Sequence, residues 1–114
     1  MRANIKIGTP GGNCLFLRLA RTTSGSTSYI SIGDASSSRV QASMGGLLNT
    51  QPWQIPADSC EFLDSPSAGT HTYFLEWRLS SGSATSYINR SQRDQDADHA
   101  ARTASTITVM EIAA

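Results

Sequence analysis

Asp94, Asp96 and Asp98 stand at alternate positions, the spacing with which carboxylates open a calcium-binding loop. The rest of such a loop is missing. Its sixth position is His99 where glycine is required, and its twelfth is Ser105 where a bidentate glutamate should close the shell. An EF-hand is therefore excluded. Two readings remain: a looser calcium site borrowing ligands from another loop or another copy, and a solvated loop neutralised by Arg90, Arg93 and Arg102. We favour the second, and assign no metal and no cofactor.

Other groups capable of chemistry are scattered. His71 and His99 are the only histidines, and neither has a Ser, Cys or carboxylate at a motif spacing. Gly8-Thr-Pro-Gly-Gly12 is glycine-rich but lacks the Lys-Ser/Thr of a phosphate cradle, so it reads as a turn. Carboxylates such as Asp58, Glu61, Asp64 and Glu76 could form a glycosidase pair only if the fold brought two of them together. We therefore expect a protein that is not an enzyme. Cys14 and Cys60 have no zinc-ligand spacing; two free thiols are preferred to a disulfide. Trp53, Tyr87 and Asn89, with the three aspartates, could make a surface for a sugar, since an aromatic face plus amide donors suits a pyranose ring, but Trp53 in a contact between copies is the preferred reading.

Bulk properties narrow the class. The 114 residues make one domain, spanning 1–114, and the formal net charge of zero announces neither nucleic acid nor an anionic membrane. No apolar run approaches the roughly 20 residues of a membrane span. Lys6 is the single lysine, and Ser and Thr are abundant, a composition common in β-rich surface proteins.

These residues must be held by strands. Ala3–Ile7 alternates; Cys14–Ala20 puts Leu15, Leu17 and Leu19 on one face; Thr22–Ser26 turns the chain into Tyr29–Ile32. Arg39–Met44 alternates with Val40, Ala42 and Met44 inward. Leu47–Pro56, with Trp53 between two prolines, reads as an extended crossing or an edge. Ala57–Leu63 and His71–Leu79 follow, the latter with Tyr73, Leu75, Trp77 and Leu79 on one face. Ser80–Ser83 then turns the chain into Thr85–Asn89. Gln92–Arg102 is polar all round and is expected to be a loop. Ala104–Ala114 is rich in β-branched residues with apolar groups on both faces, and is expected to be a buried strand. About eight short strands with turn signals between them predict an all-β fold, an antiparallel, jelly-roll-like β-sandwich.

The apolar residues exceed what one small two-sheet core can hold, so self-association is expected, most simply threefold. Phe74, Trp77, Val109, Met110 and Ile112 are the residues assigned to the core or the interface between copies. If buried, Trp77 would cost roughly 3–5 kcal/mol to truncate.

Three blocks go beyond a generic β pattern: Ile30-Ser-Ile-Gly-Asp-Ala35 with Arg39; Phe62-Leu-Asp-Ser-Pro66 followed by Thr70 and Thr72-Tyr73; and Tyr87-Ile-Asn-Arg-Ser91 leading through Asp94 and Asp96 to Arg102–Ile112. Together they resemble the C-terminal head domains of virion and tail-fibre-like proteins of marine and cyanobacterial tailed phages. The resemblance runs from about Cys14 onward, and its last block is the most specific. It implies a jelly-roll or C1q/TNF-like sandwich that assembles as a homotrimer. It further implies a virion structural protein, either a fibre or spike tip or a capsid decoration knob. Its partners would be its own copies and other virion proteins such as capsid or tail components. A carbohydrate-binding module for host-surface glycan is the alternative. Members usually carry another strand or two before the segment matching Met1–Ile7, so the first sheet is expected to want an edge partner.

Overall fold

The computed structural model describes residues 1–8, 13–48, 51–80, 82 and 84–112. Most of the Gly8–Gly12 turn lies outside the described residues. So do Asn49 and Thr50 of the crossing, Ser81 and Ser83 of the later turn, and the last two alanines. The chain is all-β: β1 (Arg2–Gly8), β2 (Cys14–Thr23), β3 (Ser26–Ile30), β4 (Met44–Leu48), β5 (Ala57–Glu61), β6 (His71–Leu79), β7 (Tyr87–Ile88) and β8 (Thr106–Thr108). They form two antiparallel sheets packed face to face, a small β-sandwich.

Both sheets are built on one plan. β1 is the centre of the first, bonded along one side to β5 from Arg2↔Glu61 to Lys6↔Ala57. Its other side is shared end to end by β8, at Arg2–Asn4, and β7, at Ile7 and Gly8. β2 is the centre of the second, bonded along one side to β6 from Leu15↔Leu79 to Thr23↔His71. Its other side is shared by β4 and β3. Where two strands meet along a central one, backbone groups would be orphaned, and burying them unpaired is costly. A serine closes each seam.

At the first seam, the Lys6 N–H donates to Ser105 Oγ at 3.0 Å, and Ser105 Oγ donates to Asn89 Oδ1 at 2.6 Å. Lys6 O accepts from the Asn89 N–H at 2.9 Å. At the second, the Ser43 N–H donates to Leu17 O, and Ser43 Oγ accepts from the Leu19 N–H, each at 2.8 Å. Ser43 Oγ in turn donates to Ile30 O at 3.2 Å. Ser43→Ala leaves the Leu19 N–H facing a methyl group, and is expected to cost about 1–3 kcal/mol in urea unfolding. Ser38→Ala, on an exposed loop, should stay within about 0.5 kcal/mol. Equal midpoints for the two variants would refute the role given to the seam.

The core lies where the two central strands cross. Ala3, Ile5 and Ile7 of β1 meet Leu15 and Leu17 of β2 and Met44 of β4, with Cys60, Leu75, Leu79 and Ile88 packed around them. The alternation in β2 is what the sequence predicts: Leu15, Leu17 and Leu19 are buried, and Cys14, Phe16 and Arg18 point to the other face. Cys14 and Cys60 are free thiols, both half-buried. Burial, aided by Asp58, pushes the Cys60 thiol up from its ordinary value.

Several boundaries move. The hairpin is tighter than expected, because Ser24 and Gly25 adopt positive φ (48° and 83°) and let β2 and β3 run up to the turn. Arg39–Ser43 is not a strand; pairing begins at Met44, because Ser43 is committed to the seam. The Ala57–Leu63 strand stops at Glu61, and Thr85–Asn89 shrinks to Tyr87–Ile88.

The largest correction concerns the core assignments. Among the described residues of the final segment only Thr106–Thr108 is strand, and its residues are exposed. β8 takes just three rungs of β1 because β7 holds the far end of the same side. Beyond it Val109, Met110 and Ile112 are exposed, Met110 by 71% and Ile112 by 75%. Trp77 does share the inward face with Leu17, yet it is 57% exposed. It lies on β6, the margin of its sheet, where the opposing sheet covers Leu75 and Leu79 but not the longer indole. The 3–5 kcal/mol set by full burial therefore does not apply to the isolated chain. Phe74 faces outward, half-buried, in the rung with Ala20.

Candidate functional site

Two polar clusters and one groove stand out from the sandwich. The first cluster lies where β2 and β6 run on past the apolar core. The inward-facing rungs there are Arg21↔Tyr73 and Thr23↔His71. Asp64, from the segment after β5, reaches into this end. It accepts the Tyr73 hydroxyl proton at 2.9 Å, pairs with the Arg21 guanidinium, and takes the Ser65 N–H at 3.0 Å. Burial works against the Asp64 charge, but the bonds from Arg21 and Tyr73 outweigh it and hold the carboxyl below its usual range. Burial and the same carboxylate push the Tyr73 hydroxyl up.

Because its folded value is depressed, Asp64 adds stability that is present above the ordinary carboxyl value of about 4 and is lost below it, as pH falls through the depressed folded value. Thermal unfolding followed from pH 7 down to pH 2 should show that acid slope, and Asp64→Asn should flatten it. An unchanged slope in the variant would assign the acid sensitivity elsewhere. The Tyr73 contribution runs the other way, present below about pH 10 and lost above it.

Next to this cluster, Thr23 Oγ1 lies 2.7 Å from His71 Nδ1, and His71 Nε2 lies 2.8 Å from Ser67 O. A carbonyl can only accept, so Nε2 carries a proton; in the neutral ring Nδ1 then accepts from the threonine hydroxyl. Hydroxyl against unprotonated imidazole is the first half of a nucleophile–base pair. Here it forms a rung between two strands, and the imidazole is oriented by a main-chain carbonyl.

The second cluster gathers the surface residues singled out in the sequence. Asp94 accepts from Arg90 at 2.8 Å and from Arg102 at 2.7 Å, clamping the two ends of the loop where residues 90 and 102 bridge. Arg90 also lies over the Tyr87 ring at 4.1 Å. Asn89, at φ 65°, spends its side-chain oxygen on Ser105. The Arg93 N–H donates to Pro52 O at 2.9 Å, so the Trp53 turn is pinned to the loop. Trp53 itself is 45% exposed.

The three aspartates thus do not converge. Asp94 is neutralised by arginines, while Asp98 points to solvent and touches His99 at 3.4 Å. Among the described residues no group of three His, Cys, Asp or Glu side chains could hold a metal ion. Of the proposed sugar surface, Tyr87, Asn89 and Asp94 are engaged in internal contacts, while Trp53, Asp96 and Asp98 are exposed.

The groove, of about 480 Å³, follows the end of β6. It is lined by Trp77, Arg78, Leu79 and Ser80 on one side and by Gly82, Ala84, Thr85 and Ser86 on the other. β6 is bonded to β2 alone among the described strands, so its outer backbone edge is open beside this groove.

Compared with known proteins, the chain matches no family model, no curated protein and no solved structure. The Arg21–Asp64–Tyr73 cluster was invisible in the sequence, since its members are 43 and 9 residues apart and share no motif. A weak signal existed: Arg21 and Tyr73 interrupt the apolar face of otherwise alternating strands. Of the three arginines expected to neutralise the acidic loop, Arg90 and Arg102 pair with Asp94, while Arg93 makes no ion pair among the described residues.

Proposed function

We propose that the chain is a non-enzymatic structural protein of a bacteriophage virion, a β-sandwich that self-associates as a homotrimer on the particle surface. It would serve there as a fibre or spike tip or as a capsid decoration knob. One observation carries the self-association: the fold leaves Leu63, Trp77, Val109, Met110 and Ile112 exposed on a small domain. Copies of the chain packing together would remove this surface from water. The phage assignment rests on the resemblance of the three sequence blocks. Its neutral charge and Ser/Thr-rich loops suit a module that faces solvent on all remaining sides.

Light scattering on the full chain at micromolar concentration tests the first part, and a monomeric mass would sink it. Cryo-electron microscopy of the intact particle tests the second, with threefold projections expected and density confined to the shell interior fatal to display.

A second reading is favoured by Trp53 alone, whose exposed ring on a pinned turn suits a pyranose face. Under it the module recognises host-surface glycan. Silence on a glycan array, together with normal adsorption of phage carrying Trp53→Ala, would retire it.

A further inference from the structure

We infer that the groove beside Trp77 takes the Val109–Ile112 segment of a second copy of the chain, an inference that rests on the self-association proposed above. Among the described residues, each half is unpartnered within one copy. The free edge of β6 offers backbone donors and acceptors beside an indole that its own fold does not cover. The segment after β8 offers Val109, Met110 and Ile112, which are exposed and lie outside the core cluster. An extended segment added to an open strand edge satisfies both: main-chain bonds supply affinity and alternate side chains supply specificity.

Charge and parity agree on how the segment lies. Arg78 and Glu111 form no ion pair among the described residues. Setting Glu111 beside Arg78 places Met110 and Ile112 on the face of Trp77 and Leu79, whichever way the added strand runs, because strand side chains alternate. A shift of two residues along β6 would instead set Glu111 beside Glu76, a like-charge contact that disfavours that register. Groove and segment are different patches, so the contact is head-to-tail, and such a contact must close into a ring to avoid a filament. Closure after three copies gives the homotrimer.

The test is the mass of four forms of the chain by light scattering, with circular dichroism to confirm the fold. The full chain is expected to be trimeric. Removal of residues 109–114, which lie beyond the last strand, should lower the mass about threefold to the monomer. Arg78→Glu should do the same, and adding Glu111→Arg to it should restore the trimer. A truncated chain that stays oligomeric overturns the exchange and leaves self-association standing. A monomeric full chain overturns both. If the truncated form fails to fold, the charge pair decides: a double variant no more associated than Arg78→Glu overturns the proposal.

Discussion

Gly45→Ala is expected to destabilise the fold by about 2–6 kcal/mol, the sum of backbone strain and overpacking. A Cβ on Gly45 would lie 2.7 Å from Leu15 O and 2.7 Å from the Phe16 Cα, and neither backbone atom can rotate away. The residue also holds φ at 140°, a conformation closed to L side chains. Both demands come from one irregularity. The pairing of β2 with β4 slips between Leu15 and Phe16, and the extra residue presses the β4 backbone onto its neighbour at Gly45. Gly46 provides the control. Its φ is 78°, but a Cβ there meets nothing within 4 Å, so Gly46→Ala should cost only about 1 kcal/mol of strain. Urea midpoints that fail to separate the two variants would refute the close approach.

Leu17→Ala is expected to cost about 2–5 kcal/mol, a large share of the roughly 5–15 kcal/mol that stabilises a domain. Leu17 is 1% exposed and sits at the middle of β2, in register with Met44 on one side and Trp77 on the other. It belongs to the cluster that joins the two sheets, so truncation opens a cavity shared by both. Leu63→Ala removes the same atoms from a side chain that is 75% exposed in the single chain and, at concentrations where the chain is dissociated, should stay within about 0.5 kcal/mol. Chemical denaturation of both variants checks the contrast, and a loss below 1 kcal/mol for Leu17→Ala would mean that the core lies elsewhere.

How far the sequence could be read depended on whether one face of a strand decides its environment. In β2 it does: alternating leucines fix the inward face, and the structure buries all three. In Ala104–Ala114 it does not. Apolar residues on both faces signal contact on both faces, but period alone cannot say whether the same chain supplies the cover. Here it supplies three rungs on β1 and, among the described residues, leaves Val109, Met110 and Ile112 exposed. Trp77 shows the same limit, its face legible and its place at the sheet margin not. The acidic loop was legible as a loop, and its arginine partners could be guessed because few other cations lay near in sequence. The Asp64 cluster depends on a long-range rung between Arg21 and Tyr73, which no local pattern encodes.

The seams closed by Ser43 and Ser105 also set an order in which the molecule can be made. β2 finds its pairing partners in β3, β4 and β6, all complete once the chain has reached Leu79. β1 draws on β5, β7 and β8, and its seam serine comes 99 residues after Lys6. β1, the earliest of these strands along the chain, is therefore the last to be finished. Closing so long a loop raises contact order and slows the final step, during which one side of β1 stays open.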